Sequence, residues 1–285
     1  MTENFTFLDT LKRYKIQFLT SLILLLGLYY SIISYMVTQW YNDENYSHGF
    51  LVPFIAGFFV YQRLDSLKKA RVTPLFQALL IIAAGLLILI VGHVGTELFT
   101  MRVSLIIVLA GMVLYFFGKT TFQILLLPIC FLFFMIPLPY ILYDAIAFPL
   151  KLFIAKYSVL FLESIGIIIL REGNIIMLPN ITLEVADACS GIRSLMSLVT
   201  LSVALAFIIN TTSVKRAVII FSAVPIAIFT NALRVIITGI LAQYRGEQVA
   251  EGVFHEFAGF MVFGVAVVIL IMTGIMLKGR GKVKS

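Results

Sequence analysis

Long apolar stretches separated by short polar ones run through almost the whole of this chain. Ile16 to Trp40 contains no charged residue at all. A bilayer crossing needs about 20 mostly apolar residues. On that measure the pattern predicts eight crossing segments, at 16–40, about 46–62, 75–94, 98–117, 121–140, 192–210, 217–240 and 257–277. The second is the weakest, because Phe50–Tyr61 is short and interrupted by Pro53. The first is too long for the apolar part of a secretory signal, about 7–15 residues, and shows no small-residue cleavage site, so it reads as a retained helix.

The stretch 141–191 is the one sizeable piece expected outside the bilayer. Asp144, Lys151, Lys156 and Glu163 punctuate an apolar run there, as in a helix lying in the interface. Asn174–Leu178 and Ile181–Val185, separated by Pro179-Asn180, predict a short β-hairpin before the sixth segment. The expected fold class is therefore an all-α polytopic membrane protein of about eight transmembrane helices, with an external interfacial helix and that hairpin. It reads as one integral domain over 1–285, with 1–15 and 278–285 as cytoplasmic tails.

Charge fixes the orientation of this pattern. Of 285 residues 61% are hydrophobic and only 12% charged, far from the quarter typical of soluble domains. The net charge of +7 would point to nucleic acid if it lay on one face. It does not: fourteen of the 21 Lys and Arg fall at 1–15, 63–71, Lys119, Lys215-Arg216 and 278–284. That is the positive-inside pattern of cytoplasmic loops, and it excludes a polyanionic partner in favour of membrane lipid. With both termini cytoplasmic, 41–49, the tip near Gly95–Glu97, 141–191 and 241–256 face outward.

Against this topology the candidate chemistry gathers on one side. Cys189 opens the sixth segment from outside, Arg234 lies in the outer part of the seventh, and His255 immediately precedes the eighth. A soft nucleophile, a fixed positive charge and a proton carrier are the set that acyl transfer needs. Cys189 alone reads more readily as a packing residue, but Ser190-Gly191 can open a helix whose amides favour a thiolate, with Arg193 one turn on. A charge inside a span costs about 2.5–3.5 kcal/mol, so Arg234 calls for a reason. Snorkelling to headgroups is one; Asn231, three residues earlier on the same face, favours a polar cavity.

His255 alone could be a solvated interface residue, as could His48 in Tyr46-Ser47-His48-Gly49-Phe50. Gly259, one turn after His255, would let another helix or a substrate backbone approach closely. Glu97 and Arg102 look like a structural ion pair, and Cys130, within Leu125–Met135, like an inert packing residue. No paired Cys or His-x-x-x-His spacing supports zinc, so neither metal nor cofactor is expected.

At these residues the chain resembles the exosortase/archaeosortase family of membrane-embedded cysteine transpeptidases. The matching pieces are Ala188-Cys189-Ser190-Gly191-Ile192-Arg193-Ser194, Asn231-Ala232-Leu233-Arg234-Val235 and His255-Glu256-Phe257-Ala258-Gly259. Tyr46-Ser47-His48-Gly49-Phe50-Leu51-Val52-Pro53 is similar to the N-terminal signature of the bacterial exosortases. The resemblance covers about 46 to 277 and implies a core enzyme without an extra C-terminal domain.

It further implies that Cys189 is the nucleophile, that Arg234 stabilises developing charge and that His255 handles protons. Arg193, Asn231, Ser190, His48 and Gly259 would bind substrate or support the site. Implied partners are exported proteins ending in a Pro-Glu-Pro-type motif, a transmembrane helix and a basic tail. The implied setting is the bacterial inner membrane, linked to extracellular polysaccharide production. The amine acceptor stays open. The alternatives are a transporter or polysaccharide-export component with a polar pathway, and a non-catalytic scaffold.

Overall fold

The structure, a computed structural model, describes residues 6–179, 181–184, 191–209, 211–245 and 253–278. The chain divides into two compact units, Met1–Pro139 and Tyr140–Ser285.

The N-terminal unit starts with a surface helix, α1 (Phe7–Arg13). Thr6 accepts from Asp9 N while the Asp9 carboxylate takes up Thr6 N, a capping box that satisfies donors at the first turn. The first apolar segment is two helices, α2 (Lys15–Leu28) and α3 (Tyr30–Asn42), bent by 62° at their junction. Tyr29 marks the bend; it is fully buried, and its hydroxyl lies 2.8 Å from Ser104 Oγ. A 3₁₀ turn (Glu44–Phe50) leads into α4 (Leu51–Gln62), α5 (Leu64–Lys69) and α6 (Ala78–Val94).

The unit closes on α7 (Leu98–Phe131) and a second 3₁₀ turn, Leu132–Met135. Helix α6 packs along α7 through glycines. A side chain at Gly85 or Gly111 would strike Val108 or Ile82 of the facing helix. Two segments were expected where α7 runs, at 98–117 and 121–140. The helix does divide there into two stretches, 98–117 and 119–131, which meet at the non-helical Gly118. Its φ of 76° suits glycine alone, and a Cβ there would run into the Thr73 carbonyl, with which Gly118 forms a parallel bridge.

The C-terminal unit begins with α8 (Tyr140–Ser164). A three-stranded antiparallel sheet follows, in the order β1 (Leu170–Glu172), β2 (Ile175–Leu178), β3 (Ile181–Glu184). The expected hairpin is β2–β3, paired Ile176 to Leu183 and Met177 to Thr182; β1 extends it. Helices α9 (Gly191–Ile208), α10 (Ser213–Arg245) and α11 (Val253–Leu277) complete the unit. One core joins α8, β2 and Val235 of α10, and the other joins α9, α10 and α11 around Leu198, Ile219, Ala223 and Leu270.

Among the described residues four helical runs are long and apolar enough to cross a bilayer, or five if α2–α3 counts as one bent span. The expectation of eight differs for identifiable reasons. Helix α4, at 12 residues, extends only about 18 Å against a hydrocarbon core of about 30 Å. The apolar helices at 78–94 and 193–208 are also short, and the two stretches of α7 together with the turn after them make one apolar run, Leu98–Met135. In the other direction, α8 is expected to lie in the interface, yet it is long and apolar enough to cross a bilayer. Between Ala145 and Leu162 only Lys151 and Lys156 are charged.

Candidate active site

Helix α10 carries the polar centre of the C-terminal unit. Thr230, Asn231, Arg234 and Thr238 recur at helical spacing, so they share one face, and all four are buried. Thr230 satisfies itself by donating to the Ile226 carbonyl at 2.9 Å. The apolar neighbours on either side, Ala227 and Val235, belong to the two cores and hold the helix between them. The stripe therefore sits at the seam where α10 changes packing partners. On the α8 side, fully buried Ser158 donates to the Ala232 carbonyl at 3.4 Å, and Gly239 makes room for Leu162.

Arg234 is only 9% exposed, which decides between its two readings. A snorkelling arginine keeps its head in water or among headgroups; this one is turned into the protein. Its guanidinium lies flat against α11 at Gly259. A Cβ on that glycine would fall 2.9 Å from Nη2, 3.0 Å from Cζ and 3.2 Å from Nη1. His255 precedes Gly259 by four residues in the same helix, and that spacing puts the two positions on one face. Arginine, asparagine and glycine are thus brought together, with the histidine position one helical turn away along α11.

The remaining candidates divide differently. Cys189 and Ser190 lie outside the described residues; helix α9 begins immediately after them, at Gly191, and its third residue, Arg193, is half-buried. His48 belongs to the N-terminal unit. It is 8% exposed within the first 3₁₀ turn, and the glycine beside it packs against the Trp40 indole, whose Nε1 donates to the Met135 carbonyl at 2.9 Å.

Two expectations are corrected. Cys130 is exposed rather than packed: Ile129 and Phe131 are buried, and 130 lies about 100° from each around the helix. Glu97 does not pair directly with Arg102. Its carboxylate caps α7, accepting from Phe99 N at 3.2 Å and Thr100 N at 2.5 Å. Residues five apart are about 140° apart around a helix, too far for the expected pair. Desolvation alone would raise the Glu97 pKa, but the bonds from Thr100 and Phe99, helped by the charge of Arg102, hold it below the usual value.

Sequence reading found Asn231 and Arg234 but passed over Thr230, Thr238 and Ser158. The two threonines stand four residues to either side of Arg234, a spacing open to view in the sequence. Ser158 is far away in sequence, and nothing local marks it.

A chain of apolar helices, one of them burying an arginine–asparagine pair within its own packing, is a multi-pass membrane protein with an internal polar site. The model of the transmembrane exosortase family matches residues 40–272, a span that contains all four motifs. The chain belongs to that family, a group of cysteine-type transpeptidases. No curated protein and no solved structure matches it.

Proposed function

We propose that this protein is a membrane-embedded cysteine transpeptidase that cuts the C-terminal sorting signal of exported proteins at the outer face of the inner membrane. The observation that carries the reading is the buried guanidinium of Arg234, held against Gly259 one turn from the position of His255. The family membership supports it independently.

The substrate helix enters laterally, and its scissile peptide comes to rest near Cys189. The thiolate attacks the carbonyl carbon and forms a C–S bond, while negative charge moves to the carbonyl oxygen. Arg234 faces that oxygen with a fork of fixed N–H donors. Collapse of the intermediate breaks the C–N bond, and the leaving amine takes its proton from His255. An acceptor amine or water then attacks the thioester, gives a proton to His255 and releases the thiolate. Asn231, on the face of Arg234, keeps its surroundings polar. The substrates carry a Pro-Glu-Pro-type motif, one transmembrane helix and a basic tail, and belong to the machinery of extracellular polysaccharide.

The two cysteines provide the test, each serving as the control for the other. Cys189→Ala abolishes shortening of a tailed reporter at normal enzyme abundance in the membrane, and Cys189→Ser is severely impaired. Cys130→Ala retains most processing. Normal processing by Cys189→Ala would return the chain to the transporter or scaffold readings. Orientation is tested by impermeant thiol labelling of single cysteines placed at 172, 248 and 282. The first two label in intact cells and the third does not; labelling at 282 alone puts the site in the wrong compartment.

A further inference from the structure

We infer that Gly259 is a positioning residue for Arg234: its bare α-carbon is the surface on which the guanidinium is set. The inference rests on the reading of Arg234 as the group that faces the developing oxyanion.

Glycine in a membrane helix usually means close approach of another helix, and this chain supplies the comparison. At Gly85, Gly92, Gly111, Gly239 and Gly274 the space of the missing side chain is taken by aliphatic or methionine side chains, in some cases with backbone. Those glycines serve helix packing. Gly264, in the same helix as Gly259, has nothing within 4 Å. Among the described glycines, Gly259 alone faces a charged group, and all three of the nearest atoms belong to the Arg234 guanidinium. The atoms in contact are Nη1, Nη2 and Cζ, the end of the side chain that does the hydrogen bonding.

The physical consequence separates rate from stability. A methyl group at 259 would stand where the guanidinium now lies, well inside the usual 3.5–4.0 Å separation of non-bonded atoms. The intruded group is the far end of a flexible side chain, so it can yield without moving either helix. Alanine is also the better helix former. The substitution should therefore leave the fold intact and displace the guanidinium by roughly half an ångström to one ångström. Misplacement on that scale of a group that must meet a transition state costs up to about 100-fold in rate.

The experiment uses the full-length protein in proteoliposomes with a reporter ending in a Pro-Glu-Pro motif, a transmembrane helix and a basic tail. Plateau processing rate, half-saturating reporter density and thermal midpoint are measured for wild type, Gly259→Ala, Gly264→Ala and Arg234→Ala. Gly259→Ala is expected to lose roughly 10- to 100-fold in plateau rate. Its half-saturation should stay unchanged and its midpoint should not fall; Gly264→Ala should match wild type throughout. A Gly259→Ala enzyme of full rate, or one whose loss is accompanied by a lower midpoint, overturns the positioning role while an inactive Arg234→Ala keeps the catalytic reading in place. An Arg234→Ala enzyme of full rate overturns that reading itself.

Discussion

Among the described residues two arginines are buried, one in each unit, and their nearest surroundings differ. Arg102, 3% exposed, donates to the Gln39 carboxamide at 2.5 Å and lies over the Tyr35 ring at 5.8 Å. Gln39 and Tyr35 are one turn apart on α3, so the guanidinium fastens α7 to that helix. The neighbouring Tyr29–Ser104 contact adds a second tie between the first apolar segment and α7. Arg234, 9% exposed, instead rests on α11 at Gly259, a position of that helix with no side chain. Large side chains clasp Arg102; a glycine clears the ground for Arg234. The first arrangement is that of a structural tie, and the second sets the polar end of the residue close to the backbone of α11.

The largest effect expected from this contrast is on activity. Arg234→Ala should lower processing by about 10²–10³-fold, the usual result of removing an oxyanion donor, with the protein still abundant in the membrane. Arg234→Lys should be almost as damaging, because lysine keeps the charge and loses the planar fork. Arg102→Ala should leave processing per folded molecule nearly unchanged. Equal losses for the two alanine variants at equal abundance would erase the distinction.

Next in size is a backbone effect confined to the N-terminal unit. Gly118→Ala forces a side chain into a left-handed conformation and against the Thr73 carbonyl, and should destabilise by about 2–3 kcal/mol. A thermal midpoint equal to that of wild type would show that the break in α7 can relax. Below it comes Arg102→Ala measured by stability: removing the donor to the half-buried Gln39–Arg102 bond should cost about 1–3 kcal/mol, read as a lower midpoint.

The smallest effect concerns Glu97. Its folded pKa lies below the unfolded value, so its contribution to stability is present above the unfolded value and is lost as pH falls through the folded one. Wild type should therefore lose more stability than Glu97→Gln on acidification below about pH 4.3, the ordinary glutamate value. Parallel melting curves across that range would remove Glu97 from the account.

The same contrast explains what could be read from the sequence. Asn231 and Arg234 were legible because their spacing is local and because a charge in a span is costly enough to demand a cause. The hairpin before α9 was legible because β-branched runs flank a Pro-Asn pair. Arg102 was misassigned to Glu97 because its true partner, Gln39, is 63 residues away and neutral. The role of Gly259 was only half visible: sequence showed that something could approach it, and only folding shows that the visitor is Arg234. Helix α8 reads as interfacial because four charges punctuate it, yet two of them, Asp144 and Glu163, lie outside the 18-residue stretch 145–162.

The length of α10 also acts as a depth gauge. From Lys215 to Arg234 there are nineteen helical steps, a rise of about 28 Å. If Lys215 and Arg216 sit at the inner boundary, as basic residues beside a span do, the gauge runs out close to the far edge of a hydrocarbon layer about 30 Å thick. Arg234 is then neither a midplane charge, with the penalty that depth carries, nor a headgroup contact. On that measure it stands near the last hydrocarbon level, where the apolar layer around it sharpens its electrostatics.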